Sequence, residues 1–165
     1  MNEPFANLRT DFTRESLPEE YARALFDYWL AARGAARMPP VCAIDAMRMP
    51  RECLPYISVL EVERGPLRLR SRLSGTALVE QLGVNQTGRY LDEIPGMAAQ
   101  LARMEWCVRT QQPYMAEDGI TFAPNDFKRY QILVLPFGDP VAGVQRLVGV
   151  FCFLNPKKPA RAWAT

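Results

Sequence analysis

The chain has 165 residues and not one histidine. That absence removes Ser-His-Asp and Cys-His catalysis, most zinc sites, the phosphoacceptor of a histidine kinase and the usual axial ligand of a haem sensor. Cysteine is sparse as well. Cys42, Cys53, Cys107 and Cys152 form no C-x-x-C pair, so neither a zinc ribbon nor a redox motif is signalled, and small buried thiols without a metal are expected. No run approaches the roughly 18 apolar residues of a membrane span, and no charged segment leads an apolar run at the N-terminus. Membrane insertion and export are therefore not expected, and a reducing cytoplasm is the expected location. Charge of one sign is also scarce. A net charge of +2 argues against nucleic acid as a partner, because such proteins need a surplus of cations for the phosphates.

What is there suits one globular domain: 48% hydrophobic and 10% aromatic residues suffice for a single core at this length. Residues 1–15 are polar and mixed, and read as a flexible arm. Ser16-Leu17-Pro18-Glu19 has the form of a capping box, which predicts an N-terminal helix over 16–34 ended by Gly34. Tyr21, Leu25, Tyr28 and Ala32 recur on one face of it, and Phe26, Trp29 and Leu30 widen the band. Such a band needs a partner, either the sheet of its own domain or the same helix of a second subunit. Tyr21, Leu25, Tyr28 and Trp29 are accordingly the candidate interface of a homodimer.

Prolines at 39, 40 and 50 predict an extended connection over 35–52. Residues 54–63 read as a first strand, 64–66 as a turn, and 67–74 as a second strand in which Leu67, Leu69 and Leu73 alternate with Arg68, Arg70 and Arg72. Across a hairpin Glu61 and Glu63 can lie near Arg68 and Arg70 on one face, or the arginine row can form an anion or acidic-partner site. Gly75 ends the strand, and a short helix over 77–82 follows, closed by Gly83 in the left-handed conformation. A further helical turn after Thr87-Gly88 is expected to turn Tyr90, Leu91 and Ile94 inward. A helix over 95–110 carries Met97, Leu101, Met104 and Val108 on one face. Strands are predicted at 113–122, 127–137 and 144–154, the last central because both of its faces are apolar. Residues 156–165 form a basic tail. The sum is an α+β fold, a five-stranded antiparallel sheet with helices inserted between strands two and three and an N-terminal helix.

The order of Tyr28-Trp29, Met38-Pro39, Leu54-Pro55, Arg72-Leu73-Ser74-Gly75-Thr76, Thr87-Gly88-Arg89 and Leu135-Pro136 resembles the PAS superfamily of sensory domains. It is most similar to the compact stand-alone variety common in alphaproteobacterial proteins. The resemblance covers residues 17–154 and implies a single domain over 16–155 with a cavity between helices and sheet. Its implied ligand-binding residues are Leu73, Leu78, Leu82, Tyr90, Met97, Leu101, Met104, Tyr130, Ile132 and Phe151, with Tyr90 and Tyr130 as the polar groups. Flavin photosensors of the superfamily carry an adduct-forming cysteine in the segment that corresponds here to about 83–89. Val84-Asn85-Gln86-Thr87 has none, so a flavin adduct is not expected, nor haem, and the cofactor is unknown. The expected function is a stand-alone cytoplasmic sensory or interaction module, not an enzyme, that signals through a protein partner, with or without a small-molecule ligand. The alternative is a small acid-base enzyme on a cone-like α+β fold, using Asp92 or Glu105 with a tyrosine.

Overall fold

A computed structural model describes residues 4–154. After 3₁₀ turns at Pro4–Asn7 and Arg14–Ser16, with a short strand β1 (Leu8–Arg9) between them, the chain enters α1 (Glu20–Arg33). Two more 3₁₀ turns, Val41–Ala43 and Arg51–Tyr56, lead to the hairpin of β2 (Ile57–Glu63) and β3 (Arg68–Ser74). Then come α2 (Thr76–Leu82), a 3₁₀ turn at Leu91–Glu93 and α3 (Ala98–Thr110). The strands β4 (Tyr114–Gly119), β5 (Arg129–Asp139) and β6 (Gly143–Leu154) complete one antiparallel sheet of order β1-β4-β5-β6-β2-β3. The expected basic tail lies outside the described residues.

The five predicted strands are β2 to β6, and the helices stand between the second and third of these, as expected. The sixth strand lies in the stretch read as a flexible arm. Leu8 and Arg9 pair with Ala116 and Met115, Phe12 packs on Phe26 at 5.3 Å, and Arg14 forks the Asp27 carboxylate at 3.0 and 3.1 Å. A two-residue strand shows no alternation, and so it left no periodic signal. The capping box also sits elsewhere. Ser16 Oγ accepts the Thr13 N–H at 3.1 Å and closes the preceding 3₁₀ turn, so α1 starts at Glu20 rather than 16. Residues 54–56, read as strand, belong to the 3₁₀ turn that contains Pro55.

The two faces of the sheet are covered differently. On β5, Leu133, Leu135 and Phe137 are fully buried on the side taken by α1, and Tyr130, Ile132 and Val134 face α2 and α3. α1 is tied to its own domain at three points. Tyr21 Oη donates to the Phe151 carbonyl at 2.7 Å, Tyr28 Oη to that of Ala43 at 2.7 Å, and Trp29 Nε1 to that of Pro136 at 2.9 Å. Leu25 and Trp29 are buried to within 1%. Of the candidate interface residues, Leu25 and Trp29 are corrected: burying an apolar side chain is worth about 1.5–3 kcal/mol, and here the chain's own sheet already supplies that burial, whereas Tyr21 and Tyr28 are half-buried.

Two glycines flank α2. A Cβ on Gly75 would collide with the carbonyls of Leu54 and Pro55, and its N–H donates to the Ile57 carbonyl at 2.8 Å. Gly83 ends α2 at φ +83°, as its sequence position predicts.

Candidate functional site

Between the sheet and the helices lies a cavity of about 40 Å³. Alternation on β5 and β6 points Tyr130, Ile132 and Phe151 into it, α2 contributes Leu78 and Leu82, and Met97 and Met104 close it from the start and face of α3. These are seven of the ten residues expected there. The other three lie elsewhere.

Leu73 is turned out by one irregularity. A bulge sets Val59 opposite Leu73 but Leu60 opposite Ser71, leaving Arg72 unmatched. The extra residue reverses the faces of β3, so Ser71 and Ser74 line the cavity and Leu73 is 46% exposed on the other side. Tyr90 pins the sheet edge. Its ring lies 3.7 Å from the Arg68 guanidinium carbon, and its hydroxyl donates to the Glu63 carboxylate at 2.9 Å. Leu101 is half-buried and outside the cavity.

The hairpin sets Glu61 opposite Arg70 and Glu63 opposite Arg68, as expected, but neither of these forms an ion pair. Arg72 meets Glu61 at 3.4 Å, but Arg68 turns to Asp92, with contacts at 2.7 and 2.8 Å, and to Glu93 at 3.1 Å. The hydrogen bond from Arg68 holds the Asp92 carboxyl below the usual carboxylate range. Asp92 is exposed and Glu105 half-buried, and neither lines the cavity. The acid-base alternative thereby loses its acid.

Sequence reading missed the polar half of the lining. Arg103, 2% exposed, is ion-paired with Asp118 and donates to the Pro4 carbonyl at 2.9 Å. Asn7 Nδ2 reaches the second oxygen of Asp118 at 2.9 Å, so the N-terminal stretch completes this buried pair. Gln86 donates to the Phe122 carbonyl at 2.9 Å. Gln100 has its orientation fixed by Thr121. The one Thr121 hydroxyl proton goes to the Gly96 carbonyl at 2.6 Å, so Thr121 Oγ1 can only accept from the Gln100 amide, at 3.2 Å. Gln100 Oε1 is therefore left as a buried acceptor with no partner among the described residues, and Ser71 Oγ is another such atom. Gln100 and Arg103 sit three apart on α3, a spacing that puts two polar residues on one face; that was the available signal.

Burial pushes the Tyr114 and Tyr130 hydroxyls well above the usual phenol range, while Gln100 and Arg103 pull Tyr130 the other way. Both tyrosines stay protonated and able to donate. The cavity thus offers donors at Tyr130 and Ser71 and an acceptor at Gln100, inside an apolar shell. One water needs about 10–15 Å³ of such space, so the cavity holds a few waters or a molecule of a few heavy atoms. A porphyrin or a flavin ring is far too large, and no cysteine lines the cavity.

The family model described as PAS domain matches residues 18–152. Among solved structures, a fungal LOV domain photoreceptor is 16% identical over 76% of this chain and 86% of its own, with a TM-score of 0.47. The PAS domain of BvgS from Bordetella pertussis is 17% identical over 64% of this chain and 81% of its own, with a TM-score of 0.45. No curated protein matches the chain.

Proposed function

The chain belongs to the PAS-domain family, and on that premise we propose that it is a sensory or protein-interaction module whose cavity takes a small polar molecule and whose state is read by a partner protein. The buried, partnerless Gln100 Oε1 carries this reading. A buried polar atom without a hydrogen bond costs about 1–3 kcal/mol, which a bound molecule bearing an N–H or O–H would recover. Ser71 Oγ and the Tyr130 hydroxyl belong to the same lining and add polar groups on the sheet side. Such a molecule is small and uncharged, because the charge of Arg103 is already answered by Asp118. Action in a reducing cytoplasm fits the four free thiols, and among the described residues no helix is long and apolar enough to cross a membrane.

Native mass spectrometry of the protein purified from its own host tests this directly. A discrete small mass is expected on the wild type and not on Gln100→Met. A library of small amides, alcohols and amines should then contain compounds that raise the melting point of the wild type alone, since ligand at 100 times its Kd adds about 2.7 kcal/mol. A bare chain that no such compound stabilises would overturn the proposal.

A further inference from the structure

The outer face of the sheet is only partly covered. α1 lies over β5 and β6, and beside it an open groove of about 830 Å³ runs between the outer face of β2 and β3 and the stretch from Ile44 to Pro55. Its lining is aliphatic: Ile57, Val59 and Met49 are buried beneath it, and Leu73 and Leu54 present the apolar surface that stays accessible. Leu73 is 46% exposed, and Met47, in the stretch from Ile44 to Pro55, is 91% exposed.

The rim is cationic. Arg70, Arg72 and Arg146 all line the groove. Strand pairing places Arg70 and Arg146 directly opposite Glu61, one on each side, and Glu61 gives its carboxylate to Arg72 at 3.4 Å. Of the three guanidiniums only that of Arg72 is ion-paired with it. Among the described residues no acid forms an ion pair with Arg70 or Arg146. Arg68 in the same row is different, because Asp92 and Glu93 occupy it.

We infer that this groove docks an acidic, apolar segment of a partner protein. Large aliphatic side chains would replace water over Leu73 and Leu54, and carboxylates on the flanks would meet the arginine forks, which suit carboxylate geometry better than lysine does. The chain's own tail does not suit the groove: residues 156–165 contain Lys157, Lys158 and Arg161 and no acid. Nucleic acid does not suit it either, because the lining offers no aromatic ring on which a base could stack. Ser71 and Ser74 line the cavity on one side of β3 and the groove on the other, so a single strand is the wall between the two sites. The inference rests on the reading of the chain as an interaction module, but not on the cavity being filled.

A displayed library of random 16-residue peptides, panned against the full chain, is the test. The selected peptides should be rich in Glu and Asp interspersed with Leu, Ile or Phe, should weaken with added salt, and should shift the amide signals of Ile57, Val59 and Leu73. Arg70→Gln/Arg146→Gln should lower their affinity at least tenfold while leaving the melting point in place. Gln100→Met should leave peptide affinity unchanged, which separates failure here from failure of the cavity reading. The inference is overturned by selection of neutral or basic peptides, by no selection at all, or by affinity within twofold of wild type in the double variant. It is equally overturned by self-association that the double variant abolishes, since the occupant would then be a second copy of this chain.

Discussion

The indole N–H of Trp29 donates to the carbonyl of Pro136 at 2.9 Å, across 107 positions of sequence. The contact joins two of the short motifs, Tyr28-Trp29 and Leu135-Pro136, and each of the others meets another motif or a residue within two positions of one. Gly138 N–H donates to the Pro39 carbonyl beside Met38 at 2.9 Å. Gly75 fits under the carbonyls of Leu54 and Pro55. Gly88 N–H donates to the Ser71 carbonyl at 2.7 Å, and Ser71 N–H to that of Arg89 at 2.8 Å. Motifs made of common residues at distant positions thus stand at, or next to, particular long-range contacts.

Trp29→Phe keeps the ring in its buried site and leaves the Pro136 carbonyl without its donor. A loss of about 1–3 kcal/mol is expected in urea unfolding, with the slope against denaturant unchanged. A variant as stable as wild type would show that water or another group satisfies the carbonyl.

Gly75→Ala drives a methyl group into two backbone carbonyls that cannot rotate away. It should destabilise by about 1–3 kcal/mol or more. Gly119→Ala, where the added carbon meets only ordinary contacts beyond 3.5 Å, should stay within about 0.5 kcal/mol. Thermal melts of the two variants side by side decide the point.

Arg103→Met leaves the Asp118 carboxylate beside the cavity without its cation, at an expected cost of about 3–5 kcal/mol. Arg103→Met/Asp118→Leu removes both charges and should recover most of that loss. A double-mutant cycle measures the coupling. Additive losses would mean that the two side chains act independently.

Arg68 lowers the Asp92 pKa in the folded state. A lowered carboxylate pKa adds stability that is whole above the unfolded value of about 3.9 and drains away as pH falls through the folded value. Asp92→Asn should therefore flatten the acid limb of the stability curve below about pH 4 and leave its shape near neutrality unchanged. An acid limb identical to wild type in Asp92→Asn would remove this residue from the account.

Burial pushes the Cys53 and Cys152 thiols up to about 12 and Cys107 higher still, whereas Cys42 is exposed. At neutral pH a thiol reagent should modify one cysteine in the folded chain and four after denaturation, with peptide mapping placing the first at Cys42. Rapid reaction of a second cysteine would show that one of the buried sites opens.

The legible parts of the fold were the local ones. The apolar band of α1 follows the helical period, Gly83 ends α2 where a left-handed residue is required, and the long run of β6 reads as a central strand because both faces are apolar. In the cavity, the aliphatic and aromatic lining came from the family resemblance, and Leu78, Leu82, Met104 and Ile132 are found where it implied, in the wall between helices and sheet. Leu73 was misplaced because a bulge leaves no mark in an alternating pattern. Gln100 and Arg103 were missed because apolar periodicity assigns polar residues to water, and only a buried partner such as Asp118 reverses that assignment.

The sequence by itself determined the element types, the family and the exclusions that follow from having no histidine, because these depend on residue identity and on spacing within one element. Tertiary structure alone decided that α1 lies on its own sheet, that Leu73 faces a cationic groove, and that a buried glutamine carbonyl and a buried serine hydroxyl belong to residues lining one cavity. Each of these is a relation between residues far apart in the chain, set by strand register and by which buried groups find partners, and no local pattern contains it.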